Sequence, residues 1–218
     1  MNKLLDLSLY LVLDPILCGG ITGMVETTKI AVANGVTAVQ LRSEHEFSGK
    51  NWYYAALALK EVLSDTRVPL FINDHVDIAL AIDADGVHIG QSDLPVDVTR
   101  KLIGNDKWLG FSVANRQQLN EVPWQLVDYI GIGPIYPTTT KQDAAPAMGM
   151  PQLLTQLVTL KQRPAVAIGG INANNATPIL QSGIEGIAVV SAICGQKDIQ
   201  QATLSLLEKI QQAKNNKG

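Results

Sequence analysis

At 218 residues, 46% apolar and 17% charged, the chain is long enough for one α/β barrel and is composed as a packed globular protein rather than a disordered one. Its net charge of −3, with no long run of either sign, speaks against a nucleic-acid partner, which would need a concentrated basic face. No apolar run approaches the roughly 20 residues of a membrane span, and the N-terminal apolar segment is interrupted by Asp6 and Asp14, so neither a membrane partner nor a signal peptide is expected and the location expected is cytoplasmic.

Strand-like runs alternate with amphipathic stretches from end to end. Leu9–Leu13 is followed by a helical pattern over Met24–Asn34, Ala38–Arg42 by Trp52–Ser64, Leu70–Asn73 by Val76–Ile82, and Gly86–Gly90 by Val96–Ile103. Trp108–Val113 then precedes Arg116–Leu126, Tyr129–Ile135 precedes Met150–Leu160, Ala165–Ile168 precedes Asn174–Gln181, and Gly186–Ser191 precedes Asp198–Lys214. Most of the strand runs are nearly continuous Val, Ile, Leu and Ala, as in parallel strands buried on both faces. Strict alternation allows a closed barrel or an open doubly wound sheet; the eight pairs and a mean repeat of about 27 residues favour a single (β/α)8 TIM barrel over residues 1–218, with a frayed tail at 214–218. Glycines just before strands (Gly35, Gly86, Gly183, Gly186) read as helix C′ positions. Cys18 and Cys194 have no metal-type spacing and read as two reduced thiols.

In such a barrel the active site is expected at the C-terminal ends of the strands, and that rim collects the polar residues. Gln40 and Arg42 end the second strand, Asn73 and Asp74 the third, and Gln91 and Asp93 come just after the fourth. Ser112 ends the fifth, Thr138, Thr140 and Lys141 come after the sixth, Gly169-Gly170 after the seventh, and Val190-Ser191 close the eighth. Hydroxyls, backbone N–H groups and an ammonium in the Gly133–Lys141 stretch suit phosphate oxygens, as does a guanidinium at Arg42. Asp74 and Asp93 on adjacent strand ends suggest Mg²⁺ bridging a diphosphate. The competing assignments are that Asp74 caps the third helix and that Asp93 belongs to a capping loop with Pro95 at the first helical position. The histidines rank low: His88 reads as a packed or hydrogen-bonded residue inside the barrel, His75 as a cleft-lining candidate, His45 as a surface residue.

From Leu9-Tyr10-Leu11-Val12 to about Ile193 the chain resembles the thiamine phosphate synthases (thiamine-phosphate pyrophosphorylases). The marks are Gln40-Leu41-Arg42, Phe71-Ile72-Asn73-Asp74, Asp85 to Pro95, Gly110-Phe111-Ser112, Gly133 to Lys141, Ala167 to Ile171 and Val189 to Ile193. The resemblance implies condensation of a hydroxymethylpyrimidine diphosphate with a thiazole phosphate, both small-molecule substrates, to give thiamine phosphate and pyrophosphate. It implies Mg²⁺ on Asp74 and Asp93. It implies diphosphate binding by Arg42, Asn73 and Lys141, and pyrimidine and leaving-group positioning by Gln40 and Ser112, with Arg42, Ser112 and Lys141 acting in catalysis. It further implies thiazole-phosphate binding by Thr138, Thr140, Gly170, Val190 and Ser191, and a lid over Thr138–Pro146. The family reacts by dissociation of pyrophosphate and then attack of the thiazole nitrogen.

One position departs from the pattern. Glu44 stands where the family usually has a Lys that touches pyrophosphate, so weaker diphosphate binding is expected unless His45 or Lys50 swings in or Glu44 reaches Mg²⁺ through water. The comparison of Glu44→Lys with the natural chain in diphosphate affinity decides whether this position belongs to the site. Two alternatives are weighed: a thiazole tautomerase-like relative, and a non-catalytic phosphate-ligand binding barrel. The tautomerase branch carries a His after the fifth strand's serine, whereas this chain reads Ser112-Val113-Ala114-Asn115. Oligomeric state is left open, a homo-oligomer among the options.

Overall fold

Eight short parallel strands close on themselves: β1 (Leu9–Leu13), β2 (Ala38–Leu41), β3 (Leu70–Asn73), β4 (Gly86–Ile89), β5 (Trp108–Val113), β6 (Tyr129–Ile132), β7 (Ala165–Ile168) and β8 (Gly186–Val189). The computed structural model describes residues 5–43, 47–140, 145–150, 152–153 and 163–215. Each strand pairs with the next, and Leu9–Leu11 of β1 pairs with Ile187–Val189 of β8, so no edge is left exposed. Around the barrel run α1 (Ile21–Ala33), α2 (Gly49–Leu63), α3 (Val76–Ala81), α4 (Val96–Ile103), α5 (Arg116–Asn120), α6 (Ala176–Gln181) and α7 (Ile199–Asn215).

The two-residue period of each strand sorts its side chains into two cores. Leu9, Leu11, Leu13, Val39, Leu41 and Ile72 join the large layer that includes helix residues such as Met24 and Leu59. Tyr10, Val12, Ala38, Phe71, Tyr129, Val166 and Ala188 form a separate interior cluster. Three aromatic rings dominate it, Tyr10, Phe71 and Tyr129, with centroids 5.4–6.0 Å apart. They fit because neighbouring positions are glycine: a Cβ on Gly86 would come within 2.6 Å of the Phe71 ring, and one on Gly110 would overlap Tyr129 and His88.

The structure moves several expected boundaries. Helices α1 and α2 each begin three residues before the apolar periodicity (Ile21 for Met24, Gly49 for Trp52): the first turn of α2 is exposed and that of α1 only half-buried, so neither carries the full pattern. Ser48 caps α2, its side chain accepting from Asn51 N at 3.2 Å. Helix α5 ends at Asn120 instead of Leu126, since Pro123 cannot continue the hydrogen-bond ladder. Strand β6 stops at Ile132 instead of Ile135: Pro134 has no N–H, although Ile135 N and Tyr136 N still donate to Ile168 O and Gly169 O. Of the helix expected over Met150–Leu160, residues 149–150 and 152–153 are helical, and the other positions lie outside the described residues.

Gly35 and Gly183 take the left-handed position after α1 and α6 as expected, but after α3 it is Asp83 (φ 54°) that does so. Gly86 and Gly186 lie within strands, where they are needed for space rather than for a turn. Helix α7 continues through Asn215, two residues into the segment expected to fray, and Lys214 Nζ donates to Ser8 Oγ at 2.8 Å. Both thiols are free, and the fold brings them together. A hydrogen bond from Cys194 pulls the Cys18 thiol down, and the same contact and burial push Cys194 up.

Candidate active site

Residues just beyond the barrel strands surround a cavity of about 500 Å³. Because all eight strands point the same way, their C-terminal ends and the first loop residues after them share one rim, and the cavity gathers side chains far apart in sequence. Gln40, Arg42, Asn73, Asp74, Asp93 and Ser112 line it from β2 to β5. Thr138, Thr140, Gly170, Val190 and Ser191 line it from β6 to β8. Glu44 and Lys141, with His45, lie outside the described residues. Lys50 sits in the exposed first turn of α2 with its ammonium 5.9 Å from the Tyr54 ring, not on the cavity wall.

The acidic pair is held by aimed hydrogen bonds. Asn73 Nδ2 donates to Asp74 Oδ2 at 2.6 Å, and Gly90 N donates to Asp93 Oδ2 at 2.6 Å. Asp74 has φ 61°, a left-handed conformation that Asp tolerates better than most residues and that costs about 1–3 kcal/mol. The capping assignments give way: α3 starts from His75 and α4 from Pro95, neither with a side-chain cap, and Pro95 sits one position earlier than expected. His75 packs its ring 4.4 Å from Trp52 and does not line the cavity.

Two carboxylates on adjoining strand ends fit a hard divalent cation that takes its remaining ligands from phosphate oxygens and water, as Mg²⁺ prefers. Among the described residues no cluster of three or more His, Cys, Asp or Glu makes an all-protein cage. Across the ring, loop braces shape the other half. Asn175 Nδ2 donates to Gly170 O at 2.9 Å while its Oδ1 accepts from Asn172 N at 2.8 Å, and Gln196 Nε2 donates to Ser191 O at 2.7 Å. Gly170 lies so close to the β6 loop that a Cβ would come within 2.6 Å of Pro137 O. Thr138 Oγ1 accepts from Thr140 N at 3.2 Å, which folds the hydroxyl-bearing loop back on itself.

The cavity also has residues that the rim pattern does not single out. Tyr10 and His88 form part of its floor, and Gln118 part of its wall, its Oε1 accepting from Ala114 N at 2.7 Å. Tyr10 was legible as the one polar side chain on the inward face of β1, but a tyrosine in an apolar strand reads first as packing.

A (β/α)8 barrel that brings a guanidinium, two carboxylates and a hydroxyl-rich loop around an aromatic floor is an enzyme for small anionic substrates. The chain belongs to the thiamine monophosphate synthase family, whose family model matches residues 9–193. It is 46% identical over 206 residues to the thiamine-phosphate synthase of Laribacter hongkongensis, covering 94% of this chain and 96% of that one. It is 48% identical over 210 residues to the thiamine-phosphate synthase of a Psychrobacter species, with 94% and 97% covered. Among solved structures it is similar to the thiamine phosphate pyrophosphorylase of Pyrococcus furiosus, with a TM-score of 0.84 and 32% identity over 96% of this chain and 98% of that one. Among the described residues no helix is long and apolar enough to cross a membrane.

Proposed function

We propose that this chain joins an aminopyrimidine methyl diphosphate to a thiazole phosphate, forming thiamine phosphate and releasing pyrophosphate. The observation that carries this reading is that one cavity gathers two groups of polar residues on opposite halves of the ring. Arg42, Asn73, Asp74 and Asp93 come from β2 to β4, and Thr138, Thr140, Gly170 and Ser191 come from β6 to β8, on the opposite half of a closed eight-stranded ring. One half suits a diphosphate with its cation, the other a monophosphate, and Ser112 of β5 stands between them.

Asp74 and Asp93 would hold Mg²⁺, which when bound supplies charge neutralisation for the departing diphosphate. Arg42 sets a guanidinium against the same oxygens, so negative charge that builds up as the C–O bond breaks meets a fixed donor. Asn73 orients Asp74 and presents its amide to the same region. Gln40 and Ser112 hold the pyrimidine so that its methylene faces the thiazole nitrogen. Thr138, Thr140 and the backbone around Gly170, Val190 and Ser191 hold the thiazole phosphate, which sets the line of attack. The electron-rich aminopyrimidine carries the positive charge of the methylene as pyrophosphate leaves, and the thiazole nitrogen then closes the new C–N bond. Little acid–base help is required, and none is offered by His88, whose two ring nitrogens are both engaged within the floor.

The tautomerase alternative loses ground here. That branch carries a His after the fifth strand's serine, whereas Ser112 is followed here by Val113, Ala114 and Asn115, whose Oδ1 accepts from Gln118 N at 2.9 Å and caps α5. The deciding experiment supplies purified protein with both substrates, with Mg²⁺ and with excess chelator, and measures thiamine phosphate and pyrophosphate. Metal-dependent formation of both in equal amounts is expected. Absence of both with folded protein and Mg²⁺ present would sink the reading.

A further inference from the structure

A hydrogen-bonded chain crosses the barrel interior from one wall of the cavity to the other. Gln40 Nε2 donates to Tyr10 OH at 2.9 Å, and the Tyr10 and Tyr129 hydroxyls are 2.8 Å apart. Tyr129 OH lies 3.0 Å from His88 Nδ1, and His88 Nε2 lies 2.9 Å from Ser112 Oγ. Gln40, Tyr10, Tyr129 and His88 are all buried. Burial raises the pKa of both tyrosines, so each hydroxyl keeps its proton.

The chain runs in one direction in the arrangement that gives each tyrosine hydroxyl proton a partner within it. Tyr10 OH accepts from Gln40, so its own proton goes to Tyr129. Tyr129 OH accepts that proton, so its own goes to His88 Nδ1. His88 Nδ1 is therefore the acceptor, which places the ring proton on Nε2, donating to Ser112 Oγ. The two ends that line the cavity are then unlike: Gln40 keeps its carbonyl oxygen as an acceptor, and Ser112 keeps its O–H as a donor.

Packing alone does not account for this chain. The same interior is otherwise filled by Val12, Ala38, Phe71, Val166 and Ala188, and a phenylalanine would occupy either tyrosine's volume with no hydroxyl to satisfy. Gln40 and Ser112, by contrast, are the residues assigned to the pyrimidine, and this inference rests on that assignment.

We propose that Tyr10, Tyr129 and His88 are positioning residues that lock the amide of Gln40, and through it the enzyme's choice of an amino-bearing over an oxo-bearing pyrimidine. With one N–H held by Tyr10, the Gln40 amide is fixed in a single orientation, its carbonyl oxygen set to accept from an exocyclic amine and to repel a ring oxo group in the same place. At the far end the Ser112 O–H meets an acceptor on the same ring or on the diphosphate. Cutting the chain lets the Gln40 amide turn over, and a turned amide accepts the oxo analogue.

The test uses Tyr10→Phe and Tyr129→Phe in steady state, with thiazole phosphate saturating for the pyrimidine comparison and varied separately to read its own KM. Each is offered 4-amino-2-methyl-5-(diphosphooxymethyl)pyrimidine and its 4-oxo analogue. The ratio of kcat/KM for amino over oxo substrate should fall by about tenfold or more in both variants. The KM for thiazole phosphate should stay within about twofold of the natural chain, because that substrate is bound by the other half of the ring. An unchanged ratio in folded variants overturns the proposal, and so does an equal loss on both analogues, the signature of a merely structural role. If neither variant folds, His88→Gln cuts the chain between Tyr129 and Ser112, and the same two readouts decide. A natural chain that forms no product from the amino substrate would sink the functional reading itself, an outcome distinct from turnover with an unaltered ratio.

Discussion

At the N-terminal end of the barrel Asp85 precedes β4 and Asp128 precedes β6; at the C-terminal end Asp74 lies just after β3 and Asp93 after β4. The lower pair is tied to cations and to the sheet. Asp128 Oδ2 accepts from Arg100 Nη2 at 2.6 Å and from Leu109 N at 2.7 Å, and Asp85 Oδ2 accepts from Leu70 N at 3.0 Å with Lys60 Nζ 3.9 Å away. Arg100 also donates to Leu126 O, Gly104 O and Lys107 O. The upper pair is aimed by an amide side chain and a backbone N–H. Gly90 N, a neutral donor, orients Asp93 without cancelling its charge, which is the condition the proposed cation site needs. A carboxylate met by a guanidinium and a strand N–H instead fastens a helix to the sheet. The same residue type therefore fastens the fold below and lines the cavity above.

Exchanging charge for amide at each end tests this contrast. The largest effect is expected for Asp93→Asn, which keeps an acceptor for Gly90 N but removes the charge: kcat/KM should fall about 1,000-fold, equivalent to about 4 kcal/mol, with the urea midpoint nearly unmoved. Asp128→Asn should do the reverse. It leaves the mostly buried Arg100 guanidinium without its counter-charge, so unfolding free energy should drop by about 3 kcal/mol while kcat/KM of the folded protein holds. A catalytic defect in Asp128→Asn, or an unfolded Asp93→Asn, would break the contrast.

The smallest effect belongs to Asp83 at the lower end, whose carboxyl is pulled below its ordinary value of 3.8 chiefly by a hydrogen bond from Lys107. A depressed carboxylate stabilises the fold above its unfolded pKa, and that contribution disappears as pH falls through the folded value. Asp83 is 86% exposed, so salt screens most of the effect, and Asp83→Asn should cost only about 0.5 kcal/mol or less near neutrality. The difference between the two proteins should vanish in strong acid; a deficit that persists there would have another origin.

Legibility in the chain depends on where each signal is stored. Strands such as Leu9–Leu13 and Ala165–Ile168 announce themselves because burial on both faces demands a continuous apolar run, and their ends then mark the rim. Arg42, Asp74, Asp93 and Ser191 were legible from that position alone. Helix α5 is shorter than its pattern because the periodicity runs on past Pro123, where the backbone cannot. Asp83 takes a left-handed position that sequence patterns assign to glycine, the commoner occupant. Tyr10 and His88 read only as interior residues, since nothing in a strand's own sequence says that its inward tyrosine will join a chain ending on another strand's histidine.

The sequence by itself determined the eight-fold alternation, the parallel barrel, the polar rim and the family, because each of these is written in local periodicity, in residues at strand ends or in ordered motifs. Only the tertiary structure decided that Asp128 meets a guanidinium and Asp93 a backbone N–H. It alone closed Gln40, Tyr10, Tyr129, His88 and Ser112 into one chain across the floor. The physical reason is that hydrogen-bond direction and charge compensation depend on partners that closure of the ring brings within about 3 Å, and Tyr10 and Tyr129 stand 119 positions apart in the chain.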